Sequence, residues 1–117
     1  MPVGTRSQFT WPVAGLDVSV FHEGGTTVVA VCGEADSATL SVVVDALARV
    51  VAENDGDVIV DLAQTAFIDT AALRAVLRVR EELRGRGRQL TLRSPARVPR
   101  RLLAAFGLIY LVTPAAA

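Results

Sequence analysis

Apolar and polar residues alternate along two neighbouring stretches near the beginning of the chain, and this period of two is typical of β-strands. The first stretch spans residues 16–21, where Leu16, Val18 and Val20 are apolar. The second spans residues 27–32 and is apolar almost throughout. The sequence between them, HEGGTT, contains the adjacent glycines that a tight hairpin turn favours. We therefore predict an antiparallel pair of strands.

Three later stretches repeat apolar residues at spacings of three and four, which predicts amphipathic helices. The first helix begins at a cap formed by Asp36 or Ser37. Its apolar face consists of Leu40, Val43, Val44, Leu47, Val50 and Val51. The second helix spans roughly residues 70–84. Its inward residues are Leu73, Val76, Leu77 and Leu83. The third helix begins at Pro95 and ends at Gly107. Its apolar face consists of Val98, Leu102, Leu103 and Phe106.

Three more short stretches, residues 57–62, 88–94 and 108–112, have the composition of strands. The resulting order, β-β-α-β-α-β-α-β, predicts an α/β fold. We expect a small single-domain, mixed and mainly parallel β-sheet with right-handed crossover helices. The residues expected to share its core are Val44, Leu47, Ile59, Val60, Leu73, Leu77 and Phe106.

The chain is predicted to divide into three parts. Residues 1–13 have no clear period and contain two prolines, so we expect a flexible N-terminal arm. Residues 14–113 form the domain, and residues 114–117 form a tail. A chain of 117 residues is long enough for one hydrophobic core and too short for two.

The residues that most enzyme mechanisms require are scarce. The chain has no lysine, which a phosphoacceptor receiver domain and a Walker-type phosphate-binding loop both need. Its one histidine, His22, lies in the hairpin turn, and Cys32 lies in an apolar strand. Neither a hydrolytic triad nor a zinc site is therefore indicated. We expect no catalytic residues, no metal and no cofactor.

Charge is distributed unevenly although the formal net charge is zero. Residues 1–69 contain two arginines and ten carboxylates, whereas residues 70–117 contain ten arginines and two carboxylates. Those arginines spread over two helices and a strand with few aromatic residues, so we expect solvated helix faces that complement charges within the fold or on a partner, and no direct nucleic-acid binding. The single cysteine, the lack of a signal-peptide pattern and the lack of an apolar run of about 20 residues favour a cytoplasmic protein without membrane insertion.

Carboxylates and one hydroxyl follow two of the predicted strands. Glu34 and Asp36 come directly after the second strand, and Asp69 and Thr70 stand where the third strand leads into the second helix. Ligands and switches collect at the carboxyl ends of strands in such sheets, so we expect these residues at one end of the molecule. Capping of helix starts explains the same residue types, so both interpretations stay open at this point.

Two signatures in the chain resemble those of the STAS domain family, and specifically of bacterial anti-sigma factor antagonists. The sequence VCGEAD (31–36) matches the family's G-E-[LA]-D turn after a strand. The sequence VIVDLAQTAFIDTAALRAV (58–76) matches its D-L-x-x-V-x-F-[IM]-D-[ST]-[ST]-G-L segment. The matching positions are Gly33, Glu34, Ala35, Asp36, Asp61, Leu62, Phe67, Ile68, Asp69, Thr70 and Leu73. The resemblance extends over about residues 14–112 and implies a STAS-like sheet with helices.

The resemblance implies a non-enzymatic protein-binding module. In this family the hydroxyl directly after the motif aspartate is the phosphoacceptor, which maps onto Thr70. The unmodified antagonist sequesters an anti-sigma factor that is also a serine/threonine kinase, and phosphorylation ends this binding. The implied partner-binding residues are Glu34, Asp36, Asp69, Thr70, Ala71, Ala72 and Leu73.

Two alanines depart from the family pattern. Ala71 stands where many members have a second hydroxyl, and Ala72 replaces the usual glycine, so it is expected to add a methyl group where a partner's backbone approaches. The alternative function is a STAS-like accessory subunit of a lipid or anion transport system, or a small-ligand sensor without a phosphorylation switch. Monomer and dimer are both compatible with the sequence.

Overall fold

The long strand β3 organises a six-stranded sheet in the computed structural model, which describes residues 9–13 and 15–113. The strands are β1 (Phe9–Val13), β2 (Leu16–Glu23), β3 (Thr26–Ala35), β4 (Val58–Asp61), β5 (Thr65–Ile68) and β6 (Leu90–Arg93). The helices are α1 (Leu40–Glu53), α2 (Thr70–Arg84) and α3 (Arg97–Ala105), followed by a 3₁₀ turn at Ile109–Leu111.

The sheet is mixed, as predicted. Its order is β1-β2-β3-β4-β6, with β5 beside the second half of β3. β1 and β2 pair antiparallel, as do β2 and β3, whereas β3–β4, β3–β5 and β4–β6 are parallel. The hairpin between β2 and β3 closes through Gly24, whose φ of 62° is accessible to glycine at little cost. The α/β class and the single mixed sheet with crossover helices are thus confirmed.

Residues 9–13 contradict the predicted flexible arm. They form β1, an edge strand in register with β2 from Phe9↔Val20 to Val13↔Leu16. An edge strand tolerates Pro12 because one of its sides needs no hydrogen-bond donor, and this proline concealed the strand in the sequence. The rest of the predicted arm and the predicted tail, residues 1–8 and 114–117, lie outside the described residues.

Two further element predictions were wrong. Residues 108–112 form the 3₁₀ turn and one isolated bridge, Leu92↔Val112, rather than a strand. Gly107 (φ 69°) ends α3, and the Leu108 amide then donates to the Leu103 carbonyl at 2.8 Å, so the chain folds back on the helix. Strand β5 was not predicted at all, because its four residues are too few to display a period.

The core lies between the sheet and the helices. Leu47, Val60 and Leu73 are buried in it, as expected, and Leu77 is partly buried against it. Val44 and Phe106, which were predicted to lie in the core, are 37% and 52% exposed. The buried stripe of α1 is Val43, Ala46, Leu47, Val50 and Val51. Ala46 therefore faces the core, whereas Val44, which the pattern placed there, faces outward.

Ile59, also expected in the core, is half-buried because it points to the sheet face opposite Val58 and Val60.

Within the described ranges, none of the helices is both long enough and apolar enough to cross a lipid bilayer.

We expect Leu47→Ala to lower the free energy of unfolding by about 2–5 kcal/mol, because it empties a buried leucine site. Val44→Ala, on the same helix but exposed, is the matched control and should change it by less than about 0.5 kcal/mol. Urea denaturation followed by circular dichroism measures both. Equal losses at the two positions would contradict the placement of α1.

Candidate functional site

The site begins where β3 changes partner from β4 to β5. The register shifts between Gly33 and Glu34, which marks a β-bulge, and Gly33 has a φ of 109°. A side chain at Gly33 would place its Cβ 2.1 Å from the Gly15 carbonyl oxygen, so only glycine fits there. The Glu34 amide donates to that same oxygen at 2.7 Å. The bulge therefore holds Glu34 at the end of the sheet.

A compact turn follows from Glu34 to Thr39. The Thr39 hydroxyl donates to the Glu34 carbonyl and accepts from the Asp36 amide, both at 3.0 Å. The Asp36 carboxylate accepts from the amides of Ala38 (2.9 Å) and Thr39 (3.1 Å). Asp36 thus stabilises the turn ahead of α1. The predicted cap at Asp36 or Ser37 is wrong, because the N-cap of α1 is Thr39 and no side chain of the described residues caps this helix.

Asp69 joins the two signature segments. Its backbone amide donates to the Ala35 carbonyl at 3.0 Å, which ties the start of α2 to the end of β3. Its carboxylate accepts from the Ala72 amide at 2.9 Å, so it is the N-cap of α2. The capping interpretation of Asp69 is therefore confirmed. Through it, Glu34 and Thr70 lie at one end of the molecule.

Thr70 is the first residue of α2, and its side chain is exposed. Within the described part of the chain its hydroxyl makes no hydrogen bond. Ala71 is exposed beside it, whereas the Ala72 side chain is completely buried. The Ala72 methyl group, which was expected where a partner's backbone approaches, instead packs into the core. Leu73 is 3% exposed and forms part of the floor of a groove rather than a protruding contact.

That groove runs along α2 beside the end of α3 and has a volume of about 270 Å³. Its lining residues are Thr70, Leu73, Arg74, Leu77, Phe106 and Leu108. Phe106 is exposed because it is the C-cap of α3, where the helix ends before its side chain can reach the core. Phe67, in register with Glu34, is 42% exposed. The Thr70 hydroxyl therefore lies beside apolar surface of the kind that protein interfaces use.

Sequence reasoning did not identify Arg74 or Phe106 as surface residues of this site. Phe106 has the spacing of the buried face of α3, so its position in the sequence gave no sign of exposure. Arg74 does carry a signal, because it stands four residues after Thr70 and such residues are neighbours on a helix.

Asp61, a position of the second signature, has a structural role. Its carboxylate accepts from Arg93 at 2.9 Å between the paired strands β4 and β6, and Arg93 also donates to Glu23 at 2.9 Å. Hydrogen bonds to Glu23 and Asp61 raise the pKa of Arg93. The second carboxylate oxygen of Asp61 accepts from the Ala63 amide. These bonds connect side chains of β2, β4 and β6.

Among the described residues, no group of three or more histidine, cysteine, aspartate or glutamate side chains could hold a metal ion. In the hairpin, Nδ1 of His22 lies 3.3 Å from the Thr27 hydroxyl. The chemistry that this arrangement offers is an accessible hydroxyl next to carboxylates and an apolar groove.

A family model described as "Mlab, STAS domain" matches residues 18–113. The chain belongs to the STAS domain family. A comparison with curated protein sequences finds no significant match.

Solved structures share the fold. An anti-sigma factor antagonist from Mycobacterium paratuberculosis is 24% identical, with a TM-score of 0.76 and 86% of each chain covered. The phosphorylated form of the Bacillus cell fate determinant SpoIIAA is 18% identical, with a TM-score of 0.67 over 85% of this chain and 91% of that one. A sulfate transporter family protein from Wolinella succinogenes is 20% identical, with a TM-score of 0.62 over 75% of each chain. At these identities the similarity establishes a common fold, which proteins of different function share.

We expect Gly33→Ala to lower the free energy of unfolding by more than about 3 kcal/mol, because it combines an unfavourable φ with a clash against the Gly15 carbonyl. Gly87→Ala is the matched control, since Gly87 also has a positive φ (71°) but nothing within 4 Å of the added methyl. It should cost about 1–2 kcal/mol. Chemical denaturation of both variants compares them, and equal costs would contradict the close approach at Gly33.

Removing the N-cap of α2 should change the free energy of unfolding by a measurable amount. Asp69→Ala is expected to lower the free energy of unfolding by about 0.5–2 kcal/mol, whereas Asp69→Asn should retain most of it because asparagine caps equally well. Thermal and urea denaturation test this pair. If the two variants were equally destabilised, the capping role of Asp69 would be refuted.

Proposed function

We propose that this chain is an anti-sigma factor antagonist, a non-enzymatic cytoplasmic module that binds an anti-sigma factor of the serine/threonine kinase type. The observation that carries the proposal is the exposed Thr70 hydroxyl at the first position of α2, directly after the Asp69 cap and beside the apolar groove. The fold shared with an antagonist from Mycobacterium paratuberculosis and with SpoIIAA supports it.

Accessibility favours Thr70 as the phosphoacceptor. Of the threonines in residues 15–113, Thr70 alone is exposed. Thr39 and Thr65 are buried, and their hydroxyls donate to the carbonyls of Glu34 and Val31. A kinase must surround the acceptor oxygen, so a buried and engaged hydroxyl is a poor substrate. In the proposed step the γ-phosphoryl group of ATP passes to the Thr70 oxygen, which loses its proton, and ADP leaves.

The phosphoryl group would act on the partner rather than on the fold. It adds a charge of about −1.5 to −2 at a surface that already presents Glu34, Asp36 and Asp69. The N-terminus of α2 stabilises a nearby anion, so the domain itself tolerates the modification. A partner surface complementary to the unmodified site would be repelled. The contacts we propose for the partner are Glu34, Asp36, Asp69 and Ala71 together with Thr70, and Leu73 lines the adjoining groove.

A second candidate function is an accessory subunit of a lipid or anion transport system, or a small-ligand sensor, without a phosphorylation switch. One observation favours it: the fold shared with a sulfate transporter family protein. Ala71 and Ala72 in place of the usual hydroxyl and glycine are compatible with a member that is not phosphorylated.

The test is treatment with ATP and each anti-sigma factor kinase encoded in the same genome, followed by mass spectrometry and a pull-down. We expect one phosphate, on Thr70, and loss of binding once it is attached. Thr70→Ala should still fold and bind but accept no phosphate, and Thr70→Asp should weaken binding in part, because it supplies only some of the phosphate's charge.

Ser41→Ala is the matched control, since Ser41 is also an exposed hydroxyl in the first turn of a helix. It should leave both phosphorylation and binding unchanged. Phosphate on another residue, or undiminished binding after full modification of Thr70, would refute the switch. Binding to a transporter subunit in place of any anti-sigma factor would favour the second candidate.

A further inference from the structure

The charges of α2 are arranged in two unlike halves. In the second half, Glu81 pairs with Arg80 and Arg84 at 3.1 Å, and Glu82 pairs with Arg86 at 3.1 Å. The first half has no acidic residue in its first turn, where an anion would interact favourably with the helix dipole. The only described carboxylate at the beginning of α2 is therefore the N-cap Asp69, which is engaged by the Ala72 amide, and the first turn itself adds no acidic side chain.

Arg74 lies in that first half. It is exposed and forms no ion pair within the described residues. Its neighbour one turn further along the helix is Arg78, a like charge that destabilises rather than supports it. Its neighbour one turn earlier is Thr70, about 6 Å away along the helix axis. Both Thr70 and Arg74 line the same groove. An anion on Thr70 would therefore meet an arginine that has no other described partner.

We propose that a phosphoryl group on Thr70 forms an ion pair with Arg74 across the first turn of α2. This inference rests on the proposed phosphorylation of Thr70 and concerns how the modified site is regulated. An anion placed four residues before a cation is the favourable order for a helical pair. Arginine matches phosphate particularly well, because its planar group donates two parallel hydrogen bonds.

The pair has a consequence for the groove. Arg74 shares the groove with Leu77 and Phe106, and its side chain is available to a partner while Thr70 is unmodified. Once it is held by the phosphate, Arg74 covers the Thr70 end of the groove and no longer offers a free positive charge. Phosphorylation then alters the surface in two ways, by adding negative charge and by withdrawing a cation from the partner.

The test does not depend on a kinase. Phosphothreonine is installed at position 70 by protein semisynthesis in the otherwise natural chain, in Arg74→Ala and in Arg78→Ala. Titration followed by phosphorus NMR gives the second pKa of the phosphate in each protein. Nearby carboxylates, Glu34, Asp36 and Asp69, are common to all three, so their effects cancel in the comparison.

The natural chain and Arg78→Ala should have the same phosphate pKa, and Arg74→Ala should have one higher by about 0.3 or more, because a pairing cation favours the dianion. Arg74→Lys should lie between. The difference should shrink in 1 M salt, which screens exposed pairs. Equal values in Arg74→Ala and the natural chain would overturn the proposal. Because the phosphate is installed chemically, this result is independent of whether any kinase modifies Thr70.

Discussion

The parallel pairing of β5 with the end of β3 is the constraint on which the site depends. Thr65, fully buried, donates its hydroxyl to the Val31 carbonyl at 2.5 Å, and the Gly33 amide donates to the Gln64 carbonyl at 2.9 Å. These bonds align a strand of four residues, of which only Thr65 and Ile68 are buried. Without this alignment, Asp69 would not reach the Ala35 carbonyl, and the two signature segments would be separate loops.

Much of the architecture follows from residue patterns that were visible in the sequence. Leu16, Val18 and Val20 alternate along β2 and are all buried. Leu47 and Val50 have helical spacing and lie on the buried face of α1. Burial of one face is what produces such a period in a sequence. The capping role of Asp69 could be predicted because a cap is a local interaction, contained within four residues. Such features need no knowledge of the rest of the chain.

The features that could not be predicted depend on contacts between distant segments. Strand β1 is held by backbone pairing with β2, and Pro12 hid it in the sequence although apolar residues alternate along it. Phe106 has the spacing of a core residue, yet α3 ends at that position and leaves the ring in solvent. Ala72 is the same kind of case: the sequence shows a replaced glycine, but only the packing of α2 shows that its methyl group points inward. Whether a side chain points into the core or into solvent depends on tertiary packing.

The contact between Gly15 and the bulge of β3 joins the β1–β2 hairpin to the candidate site. The Gly15 carbonyl, which accepts from the Glu34 amide and borders Gly33 closely, lies in the tight connection between β1 and β2. A displacement of that connection would therefore be transmitted to the Glu34 backbone without passing through any side chain. The edge of the sheet formed by β1 is thus connected to the VCGEAD segment by backbone contacts alone.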